Sequence, residues 1–131
     1  MIVVAIIGIL AAIAIPKFAE LIRKSNEGAS KGNLGALRSA LSIYYYGDME
    51  GQYPSSPLGL TVSGKYLAVI PPSHAPNYHP ATTSEQIFSV SPVISDFGSW
   101  MYDDISSDAN YGMLFINCTH TDTKGAIWTS Y

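Results

Sequence analysis

The side chains best suited to metal binding or nucleophilic chemistry are three histidines and one cysteine: His74, His79, His120 and Cys118. His74 and His79 lie five residues apart in a proline-rich stretch without a flanking cysteine or carboxylate. Histidine metal sites usually include such partners at characteristic spacings. The sequence therefore predicts solvated loop histidines, no metal site and no other cofactor.

Cys118 is the single cysteine, so it has no partner for an internal disulfide. Nothing near it in the sequence forms a convincing Cys-His-Asp arrangement, which predicts a buried, inert thiol. No Ser-His-Asp set, phosphate-binding loop or pair of catalytic carboxylates can be assembled, so we predict that the protein is not an enzyme. Asn117-Cys118-Thr119 matches the N-glycosylation pattern, which is short enough to occur often by chance.

The element that dominates the sequence is its opening run, MIVVAIIGILAAIAIP, whose first 15 residues carry no charge. A helix of that length is about 22 Å long, whereas the bilayer core is about 30 Å thick and needs about 20 residues. Three interpretations follow: a buried core helix, a secretory signal, or the remainder of a membrane span whose first residues are missing. The run is apolar on every face, with no basic segment before it and no convincing cleavage site after it, which favours the third.

Residues 17–46 are predicted to continue this helix. Their apolar positions recur at spacings of three and four, which is typical of an amphipathic helix. The stripe comprises Phe18, Ile22, Ser25, Ala29, Leu34, Leu37, Leu41 and Tyr44. Gly47 suits the left-handed position just past a helix end, so the helix is predicted to end at Tyr46. A helix over residues 1–46 would be about 69 Å long, too long for residues 47–131 to cover, so half of it should protrude.

The segment MIVVAIIGILAAIAIPKF closely resembles the N-terminal signature of type IV pilins and of the pilin-like subunits (pseudopilins) of type II secretion systems. GNLGALRSALSIYYYGDMEGQYP resembles the second half of the pilin helix and its exit turn. The resemblance implies a mature chain without its leader and first few residues, including a glutamate that recognises a neighbour's N-terminal amine. It also implies prepilin peptidase, methylation and the pilus assembly machinery.

A protruding helix that is apolar on every face belongs in lipid or in the core of a polymer of its copies. The predicted filament-core or membrane residues are Ile2, Ile6, Gly8, Ile9, Leu10, Ile13 and Pro16. The predicted helix–head contacts are Leu34, Leu37, Leu41 and Tyr44. Because proline breaks helical hydrogen bonding and glycine has low helix propensity, we predict that residues 8–16 are bent or partly unwound in an assembled filament.

The remainder, from residue 47, is predicted to form a globular head. Short strand-like runs occupy residues 65–70, 86–91, 98–104, 111–117 and 125–131, with hairpin turns at 105–110 and 121–125. Residues 52–85 are rich in proline and are predicted to be mostly loop. The expected fold class is α+β, with a long N-terminal helix packed against a small antiparallel sheet.

Two further clusters have competing interpretations. Asp103, Asp104 and Asp108 surround the first predicted turn; some pilin-like secretion subunits bind calcium in their C-terminal region, which makes these residues weak calcium candidates. Their spacing does not match an EF-hand loop and favours turn residues. The consecutive residues Tyr44 to Tyr46 point about 100° apart on a helix. This predicts one tyrosine in the head core and two at the surface or at a subunit contact, rather than an electron-conducting stack.

The net charge of −3 is divided unequally, with +3 on residues 1–46 and −6 on residues 47–131. The acidic head argues against nucleic-acid binding. The division also suggests a salt-sensitive attraction between the head of one molecule and the basic helix, or stem (residues 1–46), of its neighbour. The resemblance implies a subunit that leaves the bacterial inner membrane to polymerise into a type IV pilus-like filament at the cell surface. The alternatives are a type II secretion pseudopilin and a membrane-anchored surface binding module.

Overall fold

The computed structural model, which describes residues 1–88 and 93–131, consists of one long helix followed by a head of short strands. Helix α1 spans Ile2–Ile43 and continues into a π-helical turn at Tyr44–Asp48. The helix runs through Pro16 without interruption. The α+β fold class is confirmed.

The exit from the helix differs from the prediction. Gly47 lies inside the π-helical turn, and the left-handed residues are Glu50, with φ 46°, and Gly51, with φ 94°. The Gly51 N–H donates to the carbonyl of Tyr45 at 3.0 Å, so the chain reverses direction one turn later than expected. The ring of Tyr45 lies 4.4 Å from that of Tyr53. The added turn therefore packs the end of the helix on the head.

Five short strands form two sheets. Strands β1 (Ser73–Ala75) and β2 (His79–Thr82) make an antiparallel hairpin. Strands β3 (Glu85–Phe88), β4 (Trp100–Asp103) and β5 (Leu114–Ile116) make a second sheet in the order β3-β4-β5. The β4–β5 pair is antiparallel, which confirms the predicted hairpin around residues 105–110.

Several local predictions need correction. β3 is parallel to β4, so the second sheet is mixed, and the β1–β2 hairpin lies within residues predicted to be loop. Residues 65–70 form no strand among the described residues; Pro71 and Pro72 follow them and cannot donate ladder hydrogen bonds. Residues 125–131 make a single bridge, Thr121 to Ile127, and then a 3₁₀ turn at Trp128–Ser130. Of the predicted strand at residues 86–91, residues 89–91 lie outside the described residues.

The core lies between the second half of α1 and the β4–β5 pair. Leu34, Leu37 and Leu41 are buried there, and Tyr44 packs at the edge. On the sheet side the cluster contains Trp100, Tyr102, Leu114 and Ile116. The buried positions of α1, from Glu27 to Leu41, recur every three or four residues, as one face of a helix requires. The face begins at Glu27, because Phe18 and Ile22 are 64% and 62% exposed.

Candidate functional site

The apolar segment, residues 1–16, contributes no residue to the core of the described structure, and its large side chains are exposed. Ile2, Ile6, Ile9, Leu10 and Ile13 are all more than half exposed. By length and composition the helix is able to cross a membrane, and none of its most apolar 18-residue window is buried. The predicted filament-core residues therefore share one helical element that makes no core contact with its own head.

Small residues interrupt the large side chains along this segment. A Cβ added at Gly8 would meet nothing within 4 Å, so nothing inside this chain requires glycine there. Gly8 and Ala12 are one helical turn apart, the spacing at which small residues allow two helices to approach closely. Pro16 removes the hydrogen bond that would otherwise reach the carbonyl of Ala12. The segment is thus a continuous helix that contains two intrinsically weak positions.

The second half of α1 is joined to the head by polar contacts as well as by its leucines. We call these contacts the C-terminal clamp; they connect Glu27, Lys31 and Arg38 with Leu114, Asp122, Thr123 and Tyr131. Glu27 is 4% exposed, and its carboxylate accepts hydrogen bonds from the backbone N–H of Thr123 at 3.2 Å and its hydroxyl at 2.5 Å.

The two cations of the clamp, Lys31 and Arg38, contact the C-terminal part of the chain. Lys31 pairs with Asp122 and donates to the Tyr131 hydroxyl at 2.8 Å, with its Nζ 4.0 Å from the centre of the Tyr131 ring. Arg38 donates to the carbonyls of Leu114 and Tyr131, both at 2.7 Å. The clamp therefore fixes both the end of the sheet and the C-terminal segment to one face of the helix.

Asp122 is the electrostatic centre of the clamp. Its side chain is fully buried, and it accepts hydrogen bonds from the backbone N–H groups of Lys124 at 2.8 Å and Ala126 at 2.9 Å. Burial alone would raise the pKa of this carboxyl, but Lys31, Tyr131 and the two backbone groups outweigh it and hold the pKa well below its usual range. Burial likewise opposes, but does not cancel, the effect of Asp122 and Tyr131 in raising the pKa of Lys31.

The clamp changes the interpretation of the charge division. Lys31 and Asp122 pair within one chain, and Arg23 lies 3.6 Å from Glu27 on the same helix. The Lys31–Asp122 pair therefore already joins one positive charge of residues 1–46 to one negative charge of the head within a single chain. Sequence reasoning missed these residues, although Glu27 and Lys31 continue the spacing of the leucine stripe.

The three consecutive tyrosines divide differently from the prediction. Tyr44 contacts Tyr66 edge to face at 5.3 Å, and Tyr45 packs on Tyr53. Tyr46 is 82% exposed. Two of the three therefore pack against the head. Tyr46 faces outward, and its ring contacts that of Tyr45 edge to face with centroids 4.9 Å apart.

The acidic candidates mainly stabilise their own turn. Asp103 is buried and accepts the N–H of Ile105 at 2.9 Å, and Asp108 accepts the N–H of Asn110 at 3.3 Å. Asp104 is half-buried. Asn117 is fully buried, with its amide donating to Ser95 at 2.8 Å, so the folded chain hides the glycosylation pattern.

Two of the three histidines, His74 and His79, lie in strands rather than in a loop, which corrects the prediction. His74 lies in β1 and His79 in β2. His79, Asp96, Cys118 and His120 converge so that one ligand atom from each lies within 4.8 Å of the others. Cys118 is buried and free, and burial raises the pKa of its thiol to about 11. The sequence signal was weak because these residues come from three separate stretches of chain.

Comparison with known proteins supports a pilin-like protein. The chain is similar to the fimbrial protein EcpC of Eikenella corrodens, with 38% identity over 71 residues, which cover 51% of this chain and 45% of that protein. The chain thus spans less than half the length of that relative. No protein-family model matches the chain. No solved structure matches it either.

Proposed function

We propose that this protein is a non-enzymatic structural subunit that polymerises through its apolar segment into a type IV pilus-like filament on the cell surface. One observation carries the proposal: residues 1–16 are unpacked, whereas the second half of the same helix is buried in its own head. The similarity to a fimbrial protein supports it.

The apolar segment requires an environment other than water. Burying one Leu, Ile or Val side chain contributes about 1.5–3 kcal/mol, and Ile2, Val3, Val4, Ile6 and Ile7 are each at least 53% exposed. Lipid and a bundle of identical helices are both apolar, so transfer between them changes burial little. We propose that the segment resides in the inner membrane before assembly and in the filament core afterwards. The assembly machinery and prepilin peptidase are partners implied by the resemblance to pilins.

We further propose that residues 8–16 lose helical hydrogen bonding on assembly. The isolated subunit has a continuous helix there, with Gly8 and Pro16 as its weak positions. A filament map with uninterrupted helical hydrogen bonds from Gly8 to Pro16 would contradict this step.

The direct test is electron microscopy of cells that produce the protein, with the filament subunit identified by mass spectrometry. Long surface filaments built from this chain are expected. Filaments confined to the periplasm would point to a secretion pseudopilin. A chain that stays in the membrane fraction without any filament would point to an anchored binding module.

A substitution inside the apolar segment separates polymerisation from membrane anchoring. Gly8→Leu adds apolar surface at a position with nothing within 4 Å, so we expect membrane insertion and head folding to be unchanged. If helices pack closely at Gly8, filament yield should fall at least tenfold. Val4→Leu, at a position that is 72% exposed and already carries a branched side chain, is the matched control and should assemble normally. Normal filaments from Gly8→Leu would exclude close packing at this residue.

A further inference from the structure

The polar cluster at one end of the β1–β2 hairpin is independent of the apolar segment and of the clamp. Its four members are His79 in β2, Asp96 in the segment before β4, and Cys118 and His120 just after β5. Cys118 and His120 are two residues apart in the chain, and their side chains contact each other, with Sγ of Cys118 next to Nδ1 of His120.

Three contacts within the cluster have separations close to those between zinc ligands. The Nε2 of His79 lies 3.3 Å from Oδ1 of Asp96, and the Nδ1 of His120 lies 3.3 Å from Oδ2 of Asp96. The Sγ of Cys118 lies 3.6 Å from Nδ1 of His120. Zinc bonds of about 2.0–2.3 Å in a tetrahedron place neighbouring ligand atoms roughly 3.3–3.8 Å apart. These three separations fall in that range, although the two histidines contact different oxygens of Asp96, and one ligand atom from each of the four residues lies within 4.8 Å of the others.

The surrounding residues hold these side chains in place. Asp96 has a left-handed backbone, with φ 58°, and its N–H donates to the buried side chain of Asn117 at 3.2 Å. Its Oδ1 also accepts the N–H of Thr119 at 2.8 Å. Strained backbone of this kind persists only where its surroundings impose it, and it is enriched at functional sites.

The two histidine rings are also positioned by neighbours. The ring of Tyr78 stacks on His120 with centroids 3.9 Å apart and an interplanar angle of 13°. Gly98 packs against His79 so closely that an added Cβ would lie 2.4 Å from the Cβ of His79. The cluster combines a fully buried thiol with partly exposed His120 and Asp96, which gives an ion a route from solvent.

We propose that His79, Asp96, Cys118 and His120 form a binding site for a single Zn²⁺ ion. Two imidazoles, one thiolate and one carboxylate suit a borderline transition metal, whereas Ca²⁺ prefers oxygen ligands alone. Binding forms a zinc–sulfur bond and releases the thiol proton of Cys118 to water. The ion would join β2 and the segment containing Asp96 to the chain that leads into the C-terminal clamp.

The test uses the full chain in detergent micelles, stripped of metal and then equilibrated with Zn²⁺ or Co²⁺. We expect one zinc per chain by elemental mass spectrometry, a higher melting temperature with zinc, and a sulfur-to-cobalt charge-transfer band with Co²⁺. His120→Gln should weaken zinc binding about 100-fold, and Cys118→Ser should abolish the charge-transfer band. His74→Gln, which alters a histidine in the same hairpin outside the cluster, is the matched control and should bind like the original chain.

The wild-type cobalt spectrum tests the site even if the Cys118 variant fails to fold. A purified chain that takes up far less than one zinc, or that shows no sulfur-to-cobalt band, would overturn the proposal. So would metal binding that survives both His120→Gln and Cys118→Ser, because the ion would then lie elsewhere. None of these outcomes depends on filament formation.

Discussion

The two halves of α1 are built from similar apolar residues but have opposite surroundings. In the second half, Leu34, Leu37 and Leu41 are at most 3% exposed and pack on the strands of the head. In the first half, Ile9 and Ile13 are each 64% exposed. The difference follows from pattern: apolar residues on one stripe can be satisfied by one head, whereas apolar residues all round require neighbours on every side. One half stabilises the head, and the other stays exposed in the single chain.

The largest expected effect tests this division directly. Leu37 is fully buried, so Leu37→Ala should lower the free energy of unfolding of the head by about 3 kcal/mol through lost burial and a residual cavity. Ile9→Ala removes similar atoms from an unpacked position and should leave head stability unchanged. Urea denaturation of the full chain in micelles, followed by the fluorescence of buried Trp100 and Trp128, measures both. A comparable loss from Ile9→Ala would show that the two halves are not independent.

A smaller effect is expected from the electrostatic part of the packed half. Asp122→Asn removes the charge that pairs with Lys31 and should lower the free energy of unfolding at pH 7 by about 2–3 kcal/mol. Because the pKa of Asp122 is lowered on folding, its contribution is complete above the unfolded pKa near 4 and is lost as pH falls below that value.

The pH profile supplies the control for this prediction. The original chain should lose stability progressively below about pH 4, and Asp122→Asn should show a flatter profile there. Glu20→Gln breaks an exposed ion pair with Lys24 and should not change either curve measurably. Identical acid profiles for the Asp122 variant and the original chain would show that Asp122 does not stabilise the folded head through its charge.

The smallest expected effect concerns the junction between the two halves. Gly28 and Gly32 are one turn apart, and an added Cβ at either would meet nothing within 4 Å. Gly28→Ala should therefore stabilise the helix by up to about 1 kcal/mol in the isolated subunit. If the glycines receive a neighbouring helix, the same change should reduce filament yield. Gly35→Ala, with the same open surroundings, is the control and should stabilise the helix without affecting assembly. Equal filament yields from the two variants would argue against a helix contact at Gly28.

The features of the fold that depend on residue periodicity and composition could be predicted from the sequence. The long helix, the α+β class and the β4–β5 hairpin are confirmed, because the leucine spacing and the alternating runs are strong local signals. Strand pairing was harder: the parallel partner of β4 and the β1–β2 hairpin depend on long-range packing that local propensity does not record. Residues 125–131 illustrate the same point, since they bury Trp128 in a 3₁₀ turn and not in the predicted strand.

The side-chain clusters were largely missed for a related reason. Glu27 and Thr123 are 96 residues apart in the chain. Only the tertiary fold brings His79 next to Cys118 and His120. The spacing of the histidines in the chain was therefore a poor guide to their spacing in space. In contrast, the apolar segment could be recognised directly, because its character does not depend on any distant partner.

The C-terminal clamp also has a consequence for the order of folding. Its contacts join residues as far apart as Lys31 and Tyr131, 100 positions along the chain. During synthesis the stem emerges long before residues 114–131 exist, so the leucine face of the helix cannot be covered at that stage. Contacts of such high sequence separation form late and slowly. Insertion of the apolar segment into a membrane would hold the chain in place until the C-terminal residues of the head have been synthesised.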